Sequence, residues 1–288
     1  MSDTMMRFDE NNLSSFLTKA DLERECPMAF KDTPTNPKLS QKYIHANTST
    51  VIDDLEKLGW YPTEAKQCRN KKKSSGIRSF HMIAFQNPNV KITKTNDDGD
   101  IIVDAYPRII LTNSHDGHNS FKFMLGIFRM VCSNGLVVCD DQMVNMTIRH
   151  TNYSFEELRM VVKNAIEAVP NIVNTMNEMR NISLNDEQKR EIATEVVKIR
   201  KGIDINEKYT VDKTVIEDIL TPVRDEDKSD DLWTVFNICQ EKLIKGGFFN
   251  KTNKDKLRRV KSITSIKKNM DYNQRLWLTA SKYLETAK

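Results

Sequence analysis

Two polar clusters interrupt the apolar middle of this 288-residue chain: Thr112-Asn113-Ser114-His115-Asp116-Gly117-His118-Asn119-Ser120, and Cys132-Ser133-Asn134-Gly135. Imidazole nitrogen and carboxylate oxygen suit zinc, manganese or iron, so His115, Asp116 and His118 form a candidate metal set. One turn supplies too few ligands alone, and closing such a site would draw on His81, His150, Asp140 or Asp141. The same turn, through His115, His118, Asn119 and the following Lys122, also suits contacts to a phosphate or a base. A nucleophilic Cys132 with His115 as its base is a further chemical option, because a thiolate needs a nearby imidazole. The plainest role is structural: Asn113, Ser114 and Asp116 satisfying backbone groups in a tight turn completed by Gly117. Both clusters are polar breaks around one strand pair, so they are expected side by side at one edge of a sheet.

Two basic clusters carry a different chemistry. Lys66, Arg69, Lys71, Lys72, Lys73 and Arg78 crowd one loop, and Lys251, Lys254, Lys256, Arg258, Arg259, Lys261, Lys267 and Lys268 crowd a second segment near the C-terminus. Each is nearly free of acids, whereas acids dominate DEDKSDD at 225–231 and DDGD at 97–100. Runs of long basic side chains neutralise phosphates and gain free energy from counterion release. The bland alternative is a pair of solvated loops. Phe248 and Phe249, between Gly-Gly and the second basic segment, are the aromatics best placed to be exposed and to stack on unpaired bases. Trp60, Tyr61, Phe80, Tyr272 and Trp277 are expected mostly in the core.

Strands and helices must position these groups. Residues 1–45 read as a polar N-terminal arm with a short helical stretch in SSFLTKADLERE. Residues 46–153 read as a mixed α/β core. It opens with a helix capped by Ser49 or Thr50 and closed by Gly59. Strands follow near 60–68, 78–86, 89–95, 101–112, 121–131 and 135–150, and Asp98-Gly99 marks a hairpin turn. Residues 154–288 read as a helical region packed on the sheet. Its SFEE start is a capping box on Ser154, and Pro170 predicts a kink or break. Further helices are expected from Ser183 or Asn185 to Gly202, at 212–220, at 231–245 with Ser229 or Asp230 as cap, and from Asn273 to Thr286. The fold class is α+β, a curved and largely antiparallel sheet followed by a helical C-terminal half.

The combination LTNSHDG, FKF, GIFR and VCSNGLVV resembles a phage- and plasmid-like family defined by a domain of unknown function, DUF932. GIRSFHMIAF upstream, and DLWTVFNICQEKLIKGG and NQRLWLTASKYL downstream, extend the likeness over most of the chain. The resemblance implies a gene carried by phages, plasmids or prophages. It implies no reaction, cofactor or residue role.

Composition narrows the rest. A hydrophobic content of 39% supports a sizeable core, and 29% charged residues with a net charge of only +4 does not by itself mark a nucleic-acid binder. The odd number of cysteines, widely spaced and without a CxxC pair, fits reduced thiols. The N-terminus has no leader pattern and no long apolar run occurs, so a cytoplasmic protein of a bacterial host, without membrane contact, is expected. There is no GxxxxGK[ST] loop, so ATP-driven strand exchange or unwinding is not expected, and neither a GxSxG elbow nor an HExxH helix occurs.

These readings converge on an ATP-independent nucleic-acid-binding protein of phage or plasmid DNA metabolism, with no cofactor, acting by single-stranded DNA binding or annealing and able to assemble as a homo-oligomer. The candidate nucleic-acid contacts are Lys71, Lys72, Lys73, Arg78, His115, His118, Asn119, Lys122, Lys256, Arg258, Arg259 and Lys261. Two alternatives remain: a metal-dependent hydrolase centred on His115, Asp116 and His118, and an antagonist of a host defence system.

Overall fold

A computed structural model describes residues 16–36, 39, 47–68, 79–96, 98–116, 119, 121–129, 137–138, 145–148, 154–224, 227–251 and 256–286. The chain divides into two compact units: residues 1–133 with 141–169, and residues 134–140 with 170–288. An antiparallel, open sheet occupies the N-terminal half, and helices dominate the C-terminal half.

In the first unit, helix α1 (Lys19–Glu25) starts at a capping box in which the Thr18 hydroxyl accepts from the Asp21 amide and the Asp21 carboxylate accepts in return. Helix α2 (Thr48–Lys57) buries Val51, Ile52 and Leu55 on one face and ends before Gly59, whose φ of 81° suits a glycine. Its N-cap is Asn47 and not Ser49 or Thr50. Thr48 is instead buried against the sheet, a tertiary demand that local capping preferences do not reveal.

The sheet of this unit is built from β1 (Tyr61–Gln67), β2 (His81–Gln86), β3 (Ile92–Thr95), β4 (Ile101–Asn113), β5 (Phe121–Arg129) and β7 (Asn145–Ile148), while the short β6 (Val137–Val138) falls in the second unit. Strands β1, β2, β4 and β5 pair in that order, while β3 pairs with β4 and β7 with β5, every pairing antiparallel. Strand β4 is the spine. Its registers Ile83↔Leu111, Phe85↔Ile109 and Leu111↔Phe123 place β-branched and aromatic side chains on one face, joined by Leu125 and Ile127. These are among the most buried residues of the unit. The alternate face of β4 carries Arg108, which donates to Gln86 at 3.2 Å and lies 3.6 Å from the Phe128 ring centroid. Burial lowers its pKa to about 10, still far above neutral pH, so the cation is kept and satisfied by amide and ring.

Helix α3 (Phe155–Arg180) begins where the Ser154 hydroxyl accepts from the Glu157 amide at 3.2 Å. It runs on through Pro170, so there is no break. Pro170 lies on the exposed side, where the carbonyl left without a donor can turn to water.

In the second unit, α4 (Asp186–Lys201) is boxed by Asn185 and Gln188 and stopped by Gly202 in the left-handed region. Helix α5 (Lys213–Leu220) is capped by Asp212, and α6 (Leu232–Lys245) by Asp231 in place of Ser229 or Asp230. The Asp231 carboxylate takes both the amide and the hydroxyl of Thr234. Helix α7 (Ile266–Thr286) starts well before Asn273. The Lys267-Lys268 pair in its first turn opposes the helix dipole, which hides the true start in the sequence. Buried Ile192, Val196, Ile219, Phe236, Leu243 and Leu276 fill this unit, with Trp277 edge-on to Phe236 at 5.6 Å. Between α6 and α7, where no strands were expected, β8 (Phe249–Lys251) and β9 (Leu257–Arg259) form an antiparallel hairpin. Among the described residues, no helix is long and apolar enough to cross a membrane.

Candidate functional site

The turn that follows β4 is folded inward. Ser79, His81, Asn113, Ser114 and His115 are all fully buried, together with Thr48 at the start of α2. The His81 Nδ1 lies 2.6 Å from the Ser79 carbonyl, which can only accept, so this nitrogen carries the proton. His81 Nε2 is then an acceptor, and the Thr48 hydroxyl donates to it at 3.0 Å. The Thr48 oxygen in turn accepts from Asn113 Nδ2 at 3.0 Å and faces His115 Nε2 at 3.5 Å. One hydroxyl thus joins a helix to two strands and the turn.

Other polar groups among the turn's described residues are also used internally. The Ser114 hydroxyl donates to Asp116 at 2.6 Å and accepts from Asn119 Nδ2 at 3.1 Å. The His115 amide donates to the Ser79 hydroxyl at 2.8 Å, and its carbonyl accepts from the Thr35 amide at 2.8 Å. Burial pushes His81 down to about 4, so its ring is neutral at physiological pH, as this lattice needs.

This geometry sorts the candidates in the turn. His115 is an interior residue whose ring faces Thr48, so a direct phosphate contact would require the turn to open. Asp116 is engaged by Ser114, and among the described residues no group of three or more His, Cys, Asp or Glu side chains is placed to hold a metal. Lys122, by contrast, is exposed on β5, opposite Thr112. His118 and the segment Cys132–Gly135 lie outside the described residues.

The basic segment of the second unit is built differently. Its cluster is carried by the β8–β9 hairpin, in register Phe249↔Arg259, Asn250↔Arg258 and Lys251↔Leu257. The ladder continues at its base, where the Gly247 amide donates to the Val260 carbonyl and the Val260 amide to the Phe248 carbonyl. Gly246 has φ near 70°, and a Cβ there would overlap the Val260 carbonyl oxygen, so the entry needs glycine. Phe248 is fully buried, contrary to the expectation that it would be exposed, because it plugs the hairpin into the helices. Arg200, desolvated and with a lowered pKa, donates to the Lys261 carbonyl at 3.0 Å. Lys256, Arg258, Arg259 and Lys261 are all exposed. Lys71, Lys72, Lys73 and Arg78 of the other cluster lie outside the described residues.

A cavity of about 660 Å³ lies between α4 and α5. No histidine or cysteine lines it, and its Lys189 is bound to both Asp186 and Asp230 at 2.9 Å.

The family model for a domain of unknown function, DUF932, matches residues 38–277, a span that includes both the turn and the hairpin. The chain belongs to the DUF932 family. It is similar to two proteins of Escherichia coli (strain K12), the UPF0380 proteins YafZ and YfjQ. Each is 28% identical over 271 residues, covering 93% of this chain and 92% of the relative. No solved structure matches.

In this DUF932 chain, sequence reasoning missed Thr48 and Ser79 as members of the polar lattice and missed both hairpin strands. Thr48 lies 33 residues from His81 and 67 from His115, a separation that no local pattern encodes. The alternation of Phe249 and Lys251 against Leu257 and Arg259 was a detectable but short signal.

Proposed function

We propose that this protein is an ATP-independent nucleic-acid-binding protein that grips phosphates with the β8–β9 hairpin, in the manner of a single-stranded DNA-binding or annealing factor of mobile-element DNA metabolism. One observation carries the reading: Lys256, Arg258, Arg259 and Lys261 stand exposed on and beside a hairpin anchored by Phe248, Arg200 and Gly246. Among the described residues Arg258 and Lys261 have no ion-pair partner, so their charge is available to a ligand. A rigid mount lowers the entropy lost when long cationic side chains engage a backbone. Lys122 of the first unit is exposed and is proposed as a further contact. Lys71, Lys72, Lys73 and Arg78 keep their assignment on charge density alone.

The test is fluorescence anisotropy with labelled oligonucleotides over a series of salt concentrations. Wild-type protein should bind with an affinity that falls steeply with salt, and the Arg258→Ala/Arg259→Ala/Lys261→Ala variant should show a shallower slope. Salt-independent binding, or none, would remove this function.

A further inference from the structure

Resting on that reading, we infer that the outward face of the hairpin is a base-stacking platform, with Phe249 as the residue that selects unpaired over duplex nucleic acid. Residues directly opposite in an antiparallel pair share a face, and so do residues two apart in a strand. The register therefore puts Phe249, Lys251, Leu257 and Arg259 on one face of the hairpin. The other face is anchored at its base, where Phe248, adjacent to Phe249, is fully buried, while Arg258 farther along it stays exposed.

On the outward face Phe249 is 48% exposed and Leu257 59% exposed. They sit diagonally across the ladder, a spacing of about 7–8 Å that an aromatic ring can span. Each is opposite a cation: Phe249 faces Arg259, and Leu257 faces Lys251. Two large apolar groups in water, each beside a long basic side chain, match a ligand that is flat and apolar on its face and anionic along its edge. A nucleotide has that chemistry.

The platform is held in place. The Arg259 Nε donates to the Gly247 carbonyl at 3.2 Å, the Lys201 ammonium donates to the Lys251 carbonyl at 3.3 Å, and the Phe249 amide donates to Asp218 at 3.0 Å. Lys251 also lies 3.7 Å from Asp212, an exposed pair that a phosphate can displace at small cost.

Duplex bases bury their faces against their neighbours and show only their edges in the grooves. A β-ribbon reading the major groove relies on hydrogen-bonding side chains, a part that Lys251 and Arg259 could play, but the exposed phenyl ring and isobutyl group beside them find no base face to stack on in a duplex. An unpaired strand exposes base faces, which stack on aromatic rings whatever their identity.

The test uses full-length protein, one fluorescent single-stranded oligonucleotide and its duplex with the complement. Wild type should prefer the single strand. Phe249→Ala should weaken single-strand binding about tenfold and leave duplex binding unchanged, and Phe249→Trp should restore it. Equal losses on both probes, or no loss on either, would overturn the platform while leaving phosphate binding by the hairpin intact. If Phe249→Ala instead changes only the association state on a sizing column, the face is a protein contact and the platform is wrong. Failure of wild type to bind either probe would sink the nucleic-acid reading itself. Phe249 is half exposed, so thermal melting should show the substitution folded.

Discussion

The turn after β4 and the β8–β9 hairpin are both rich in polar residues, yet they use them in opposite directions. In the turn, Ser79, His81, Asn113, Ser114 and His115 point at one another and at Thr48, and all are buried. In the hairpin the buried partners are Phe248 and the backbone, while Lys256, Arg258 and Arg259 face water. A cluster of histidine, aspartate and serine looks more like chemistry on paper than a row of arginines does. The lesson is that burial with internal pairing removes a polar group from service as a ligand contact. Exposed charge on an anchored hairpin stays in contact with solvent.

The sharpest way to break this comparison is at Thr48. Thr48→Val keeps the shape but deletes the donor to His81 and the acceptor for Asn113 and His115, and each buried group left unmatched costs about 1–3 kcal/mol. A loss of roughly 3–5 kcal/mol in urea unfolding is expected, with Thr48→Ser recovering most of it. If the valine variant is as stable as wild type, the lattice is not what holds the turn.

The second effect is a pH dependence of similar origin. His81 falls from the ordinary 6.5 to about 4 because burial disfavours its cation. Between those values the unfolded chain takes up a proton that the folded chain refuses, so stability is full above about pH 6.5 and declines as pH drops toward 4. At about 1.4 kcal/mol per unit the loss is bounded near 3 kcal/mol. His81→Gln should flatten that part of the profile. A profile unchanged by the substitution would show that other groups govern it.

How much of this contrast the sequence revealed depends on the range of the interactions. The β-branched runs of IIVDAYPRIILTN, the capping box at Ser154 and the stop at Gly202 are local, and the strands and helices they imply are present. Antiparallel pairing of β2, β4 and β5 followed from short β-branched runs separated by turn residues. The inward fold of the SHDGH turn was not legible, because Thr48 and Ser79 reach it from distant segments. The hairpin escaped because three-residue strands carry almost no periodic signal, and because Phe248 and Phe249 look alike until the register assigns one to each face.

On the hairpin side the expected effects are on binding and not on folding. Replacing Arg258, Arg259 and Lys261 with alanine should change stability by about half a kcal/mol per site. The slope of log affinity against log salt should fall by about 0.7 per lost contact on a single strand, or about 0.9 on a duplex. A destabilised variant with an unchanged slope would reverse the comparison, making the hairpin the structural element.

The smallest effect concerns Lys122, an exposed cation among the described residues of the turn's candidate set. It lies at the start of β5 beside the lattice but is not among its buried members. Lys122→Ala should therefore leave urea stability within about half a kcal/mol of wild type while lowering the salt slope by one contact, about 0.7 on a single strand. Combined with the hairpin triple variant, its effect should add if Lys122 touches a phosphate of its own. An unchanged slope would mean that the first unit contributes no contact through this region. The contrast would then be complete, with the turn purely architectural and the hairpin carrying the binding.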